Sequence, residues 1–248
     1  MSFRLIIPDH HEQPAKLKRI LKKYKADHYY FLGDHMDSFA GLTHDTWMTI
    51  GFIRDHVQDG DKTFLWGNHD LHYAFPYPEL ICSGWDKSKL QMIRNTLSDP
   101  LHWKRFKLMQ WLDLPTGQRF LMSHAGLHPY MLHPVHGFAD HALADMEERA
   151  MYQLRYCQTV TALLKCGRGR GGKGTGGIVW LDWDSEFEPI PGLNQIVGHS
   201  PNAMVRQQNI EDTDPTKASI NYCLDTHLNH VMLVHDDGHL EVQSVENV

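Results

Sequence analysis

With 248 residues, 42% of them hydrophobic and 22% charged, the chain is long enough for a substantial buried core. It has the composition of an ordinary globular protein, which excludes fibrous and intrinsically disordered classes. A formal net charge of −6 provides no whole-molecule attraction for nucleic acid or anionic lipid. No apolar stretch approaches membrane-spanning length, and the apolar run within Met1–Pro8 is too short for a secretory signal. A cytoplasmic protein is therefore expected, with neither a membrane nor a nucleic acid as partner.

In chain order, Phe3–Ile7 reads as a first strand and Glu12–Tyr24 as an amphipathic helix, with Leu17, Ile20 and Leu21 on one face. His28–Leu32 is a second strand, His44–Val57 a second helix and Lys62–Trp66 a third strand, a β-α-β-α-β opening that predicts an α/β fold. The stretch from Glu79 to Met109 is expected to be largely helical, Arg119–Met122 a strand and Ala139–Leu164 a long helix. A Gly-rich basic segment, residues 167–177, precedes the aromatic and acidic run Ile178–Phe187. Asn221–Leu224, His230–His235 and His239–Val242 read as strands, the last two flanking an Asp236-Asp237-Gly238 hairpin turn. There is no internal repeat, so one domain over residues 1–248 is expected, with 167–177 as an insertion or substrate loop.

The four cysteines, Cys82, Cys157, Cys166 and Cys223, form no C-x-x-C pair and predict free thiols in a reducing compartment. The 19 histidines are roughly three times average usage, and their placement decides their meaning. Apolar, strand-like runs end repeatedly in metal-competent groups: Asp9 and His11, Asp34 and Asp37, Asn68 and His69, His124, and His199. Each alone is more readily a cap, a turn former or a packed histidine. Together they are hard to obtain by chance, because the carboxyl ends of adjacent strands open onto one crevice. A set of imidazole, carboxylate and amide donors without thiolate suits Mn²⁺, Fe or Zn²⁺. His133, His136, His141, His227, His230 and His239 have no such setting and read as surface or core residues. Tyr73–Pro78 and Trp85 read as aromatic packing more readily than as a substrate wall.

At these residues the sequence resembles the calcineurin-like metallophosphoesterases, especially the phosphoprotein phosphatase and diadenosine tetraphosphate hydrolase branch. Asp9-His10-His11 is similar to D-x-H, Gly33–Asp37 to G-D-x-x-D, and Gly67-Asn68-His69-Asp70 to G-N-H-[DE]. His124-Ala125-Gly126, Gly198-His199-Ser200 and Asp225-Thr226 follow in the family's order. The resemblance implies a four-layer α-β-β-α sandwich of two mixed sheets, with the metal site at strand carboxyl ends. It implies two divalent ions, Mn²⁺ first and Fe or Zn²⁺ as alternatives, and a hydroxide bridging them. Asp9 and His11 would hold one metal, Asp34 would bridge, and Asn68, His124 and His199 would complete the second. His69 would be the general acid and Asp37 its orienting carboxylate.

Departures concern the substrate. Pro8 and Glu12 stand where the family has glycines, His227 replaces the last glycine of D-T-G, and Ser38-Phe39 replaces a phosphate-clamping Arg-Gly. Arg168 or Arg170, ahead of Val179-Trp180-Leu181-Asp182, would then grip phosphate with loop amides helping as a nest. The alternative is a flexible, solvated basic loop. The leading expectation is a metal-dependent phosphatase for a phosphoprotein or small phosphate ester. A symmetrical diadenosine tetraphosphate hydrolase and a non-catalytic scaffold are the alternatives. A nuclease is disfavoured because Pro201 interrupts Gly-His-x-His.

Overall fold

The structure, a computed structural model, describes residues 2–132 and 137–245. In chain order it contains β1 (Phe3–Ile7), α1 (Pro14–Lys23), β2 (His28–Phe31), α2 (His44–His56), β3 (Lys62–Phe64) and α3 (Asn68–Ala74). Then come α4 (Lys87–Thr96), α5 (Pro100–Lys104), β4 (Met109–Asp113), β5 (Arg119–Ser123) and α6 (Asp140–Tyr156). The last strands are β6 (Asn194–Val197), β7 (Arg206–Ile210), β8 (Ser219–Cys223), β9 (His230–His235) and β10 (Leu240–Ser244).

Local chemistry sets the helix ends. Pro14 opens α1, where its missing N–H costs nothing, and Lys22 and Lys23 sit in its last turn, against the negative end of the dipole. Thr43 and Thr46 form a reciprocal capping box at the start of α2. The Asp86 carboxylate accepts from Ser88 N and Lys89 N to start α4.

The strands form two five-stranded sheets, ordered β10-β9-β1-β2-β3 and β4-β5-β6-β8-β7. Both are mixed: β1, β2 and β3 run parallel, as do β5, β6 and β8, with antiparallel strands outside them. Side chains alternate across each strand. Ile6, Met232 and Val234 of the first sheet, with Leu32 just after β2, therefore meet Leu112, Phe120, Met122 and Ile196 of the second in one buried cluster. On the other face Leu5, Ile7, Phe31 and Phe64 join Leu17 and Ile20 of α1, Ile50 and Ile53 of α2 and Ile93 of α4. Leu121 of the second sheet shares a cluster with Leu143, Ala150, Met151 and Leu154 of α6. The result is helix, sheet, sheet, helix, the four layers expected.

Several expected elements change. The helix expected to run to Leu164 ends at Tyr156, because Gln158 turns left-handed (φ 52°) and Thr159 N bonds back to Gln153 O. The β-branched run Thr159-Val160-Thr161 also disfavours its continuation. The stretch 79–109 holds two separate helices, and Met109 opens a strand. Strand β7 is an addition to the expected elements: its Arg-Gln-Gln-Asn-Ile sequence lies on a half-exposed sheet edge and has no apolar alternation to reveal it. The hairpin turn before β10 forms as read, with Gly238 at φ 86° and His235 N bonded to His239 O. His133 and His136 lie outside the described residues.

The inter-sheet layer should dominate stability. Ile6→Ala is expected to lower unfolding free energy by about 2–5 kcal/mol. Val242→Ala, 39% exposed on the outer strand, should change it by no more than about 0.5 kcal/mol. Urea unfolding of both variants checks the contrast.

Candidate metal centre

The parallel strands deliver their carboxyl ends to one place. Asp9 follows β1, Asp34 follows β2, Asn68 begins the helix after β3, His124 follows β5 and His199 follows β6. The loops after β2 and β3 cross so closely that a Cβ on Gly33 would come within 2.6 Å of Gly67 N. One on Gly67 would come within 2.1 Å of Asp34 Oδ1. Only glycine permits that approach.

The loop carrying Asp34 and Asp37 is bent into left-handed backbone at Asp34 (φ 48°), Asp37 (φ 68°) and Phe39 (φ 61°). Non-glycine residues adopt this conformation only when their surroundings over-determine it. Here two buried carboxylates do so. Asp70 accepts from His35 N (3.0 Å), Met36 N (3.2 Å) and Gly67 N (2.9 Å), tying both loops together. Glu12 accepts from Asp37 N and Ser38 N, each at 3.2 Å.

Asp9, His11 and Asp34 form one group able to hold a cation, and Asp34, His124 and His199 form another. Asp34 belongs to both. Its Oδ2 lies 3.6 Å from His11 Nε2 and 3.3 Å from His124 Nε2, while its Oδ1 accepts from His69 N at 3.0 Å. His124 Nε2 is also 3.1 Å from Asn68 Oδ1 and 3.1 Å from His199 Nδ1. The far nitrogens of two rings are anchored: His11 Nδ1 donates to Met36 O (3.0 Å) and His124 Nδ1 to Leu32 O (2.9 Å). Each ring therefore turns its Nε2 lone pair inward, the tautomer a metal ligand needs.

The donor set fits a pair of divalent ions on two counts. Asp9 Oδ1 and His199 Nε2 are buried, with no hydrogen-bond partner among the described residues. In addition, three carboxylates, Asp9, Asp34 and Asp225, are buried side by side. Burial and the neighbouring Asp225 push Asp9 well above the usual carboxylate range, and burial raises Asp225 too. Burial would lower His124, but Asp34 and Asp9 outweigh it and lift it to about 10. Burial and the adjacent His124 hold His199 well below its ordinary value. Carboxylates so crowded and buried ionise together more readily with added positive charge among them.

Beside this set, His69 Nδ1 donates to Asp37 Oδ2 at 2.9 Å, and the His69 ring stands 5.2 Å from that of His11. Burial would raise Asp37, but contacts from His69, His72 and Tyr73 hold it well below the usual range, so it stays ionised. The Tyr73 hydroxyl donates to its other oxygen at 2.6 Å.

The sequence profile described as calcineurin-like phosphoesterase matches residues 4–157, more than half of the chain. The chain belongs to that family. It is therefore a hydrolase of phosphate esters, and the family implies divalent metal ions. Among solved structures, a protein serine/threonine phosphatase from Saccharomyces cerevisiae with similarity to human phosphatase PP5 is 11% identical. That alignment covers 100% of this chain and 80% of the yeast chain, with a TM-score of 0.51, a likeness of fold. The phosphoesterase YfcE from E. coli is also 11% identical, with 99% and 94% covered and a TM-score of 0.46. No curated protein sequence matches the chain.

Three features distinguish this phosphoesterase. Glu12, in place of a family glycine, forms a buried ion pair with Lys89 Nζ, 3.0 Å from each carboxylate oxygen, and Lys89 also lies 3.4 Å from Asp37 Oδ1. Second, Ser38, in place of the clamping arginine, donates its hydroxyl to Glu12 at 2.7 Å. Third, the Gly-rich segment is folded rather than loose. Arg168 N bonds Gly174 O and Gly172 N bonds Gly167 O. Two of the amides expected to help hold phosphate are already engaged within the chain. Those of Gly169 and Gly176 donate, at 3.3 Å, to the protein's own Glu186.

The two arginines part company. Arg170 pairs with Asp182 (Nε–Oδ2 3.1 Å), and its Nη2 lies 3.4 Å from Ser200 Oγ and 3.5 Å from His199 O, beside the centre. Arg168 is exposed and has no side-chain bond to another described residue. Tyr73 is buried beneath the site and Phe75 packs on Trp66, so that aromatic stretch is largely support. The motifs alone assign no role to Asp225, Asp70, Lys89 or Glu12. The D-T pair and the broken glycine pattern are signals for Asp225 and Glu12; Lys89 has none.

Lys89→Met should destabilise the fold by about 3–5 kcal/mol, since it strands a buried carboxylate. In urea unfolding, Glu12→Gln combined with Lys89→Met should cost less than the two single changes summed. Saturation with Mn²⁺ at a hundredfold excess over Kd should add about 2.7 kcal/mol of stability. That gain should appear as a higher Tm, reversed by chelator and absent in Asp34→Asn.

Proposed function

We propose that this protein is a metal-dependent phosphatase for phosphate monoesters, with His69 as general acid. The observation that carries this reading is the His69–Asp37 pair standing 2.9 Å apart beside a ligand set that shares Asp34. Asp9, His11 and Asp34 would hold one cation, and Asp34, Asn68, His124 and His199 the other. Bound there, a pair of divalent ions lowers the pKa of water and neutralises charge on the phosphoryl group. Mn²⁺ is the first choice for this nitrogen and oxygen donor set, with Fe or Zn²⁺ as alternatives.

The chain's own groups do the rest. Asp37, kept ionised, holds the His69 proton at Nδ1 and leaves Nε2 as the nitrogen that protonates the departing oxygen. Lys89, Tyr73 and His72 hold Asp37 in turn. Arg170 is the cation placed to meet phosphate oxygens, and Asp182 sets its direction. Ser38, turned toward Glu12, takes no part.

One observation favours the second reading, a symmetrical diadenosine tetraphosphate hydrolase. Phe39 is 59% exposed, and its ring lies 5.3 Å from that of His69 and 5.9 Å from that of His11. An open aromatic face next to the acid can receive a nucleobase or another flat leaving group. A soluble, intracellular setting is part of the proposal; among the described residues no helix is long and apolar enough to cross a membrane.

A panel of p-nitrophenyl phosphate, a phosphopeptide and a dinucleoside tetraphosphate, assayed with Mn²⁺-loaded protein, separates these readings. Turnover of the tetraphosphate alone would move the assignment to the second. His69→Asn should lower kcat by about 10²–10⁴-fold with little change in KM, and wild-type rates would refute the acid role. Arg170→Ala should raise KM about tenfold, the loss of one charge-assisted hydrogen bond. Arg168→Ala should leave KM within about twofold, as expected for an exposed surface change.

A further inference from the structure

Next to the dinuclear ligand set, three donors converge that it does not use together. His69 and His72 stand three residues apart on α3 and so share a helix face. Cys82, on the loop that follows, brings its Sγ to 3.3 Å from His72 Nδ1 and 3.8 Å from His69 Nδ1. One donor atom from each residue lies within 4.8 Å of the other two. Ligands of a tetrahedral zinc, with bonds of about 2.0–2.1 Å to nitrogen and about 2.3 Å to sulfur, lie about 3.3–3.7 Å apart. The two nitrogen–sulfur distances here, 3.3 and 3.8 Å, are already close to that.

The surroundings suit a ligand set as well. His72 Nε2 rests 2.8 Å from Asp37 Oδ2. A carboxylate behind an imidazole is the usual support of a metal-ligating histidine, and here it leaves Nδ1 facing the sulfur. Cys82 also supplies the soft donor that the dinuclear set lacks, so the two places differ in the ions they prefer. The site is partly accessible, with His69 and His72 buried and Cys82 half-buried.

We propose that His69, His72 and Cys82 form a third cation site, selective for a thiophilic divalent ion such as Zn²⁺, whose occupation switches the phosphoesterase off. On binding, the Cys82 thiol proton and the His69 Nδ1 proton pass to solvent as the S–metal and N–metal bonds form. The His69 nitrogen now held by Asp37 is drawn toward the cation, which breaks that hydrogen bond and re-aims the ring carrying the acid proton. Asp37 or a water completes the fourth position. The switching half rests on the reading of His69 as the acid; the existence of the site does not.

The test uses intact protein saturated with Mn²⁺, as wild type, Cys82→Ser and Cys82→Ala. Each is titrated with Zn²⁺ while hydrolysis is followed, and separately with Co²⁺ while near-ultraviolet absorbance is recorded. A thiolate-to-cobalt charge-transfer band is expected in the wild type and should be at least tenfold weaker in both variants. Zinc-free activity of the variants should stay within twofold of wild type, and half-inhibition should need at least tenfold more Zn²⁺. Absence of a Cys82-dependent band overturns the site. A Cys82-dependent band with equal zinc inhibition in all three proteins overturns the switch. Failure of the phosphatase reading would appear differently, as no turnover of any ester by zinc-free protein, while the cobalt band still decides whether the site exists.

Discussion

Asp9, Asp34 and Asp225 are buried together at the end of two parallel sheet segments, and that concentration of negative charge is the constraint on which the site depends. Removing one carboxylate from water costs several kcal/mol, and three in one place cannot all stay ionised without positive partners. The histidines answer part of this, which is why Asp34 and Asp9 together lift His124 to about 10. Divalent ions, which the family implies, would answer the rest. The strands that lead to this spot are packed into two buried apolar clusters, through Ile7 and Phe31 in one and Ile6 and Ile196 in the other.

A second layer of charge holds the first in place. Asp70 and Glu12 donate nothing to the centre, yet between them they accept five backbone amides from the crossing loops. That network keeps Asp34, Asp37 and Phe39 in left-handed backbone without glycine. The Glu12–Lys89 pair shows how two departures from the family pattern belong together. An acid in place of a glycine needs a buried cation, and α4 supplies Lys89. Ser38, in place of arginine, turns its hydroxyl to the same carboxylate. On the proposed function, phosphate recognition would fall to the other side of the centre, where Arg170 pairs with Asp182.

Much of this is legible in the residue pattern. The β-α-β-α-β opening appears as short apolar runs around an amphipathic helix with Leu17, Ile20 and Leu21 on one face, and apolar runs ending in Asp9, Asp34, Asn68, His124 and His199 point to a shared crevice. Elements without a periodic signature are not legible there. Strand β7 is polar because it lies half-exposed on a sheet edge, and α6 stops early at the left-handed Gln158. Lys89 in a Lys-Ser-Lys-Leu stretch looks like any solvated helix lysine, and only packing against Glu12 and Asp37 sets it apart.

The order and chemical type of the candidate ligands are properties of the sequence alone, because short motifs at strand ends need only local geometry to be recognised. The pairing of His69 with Asp37 is likewise readable from motif resemblance. Tertiary structure decided which groups share space. It put Asp225 beside Asp9, gave the Gly169 and Gly176 amides to Glu186, separated Arg170 from Arg168, and set Cys82 between His69 and His72. Those choices depend on contacts between residues far apart in the chain. Burial, electrostatic neighbours and close backbone approach exist only once the two sheets have packed.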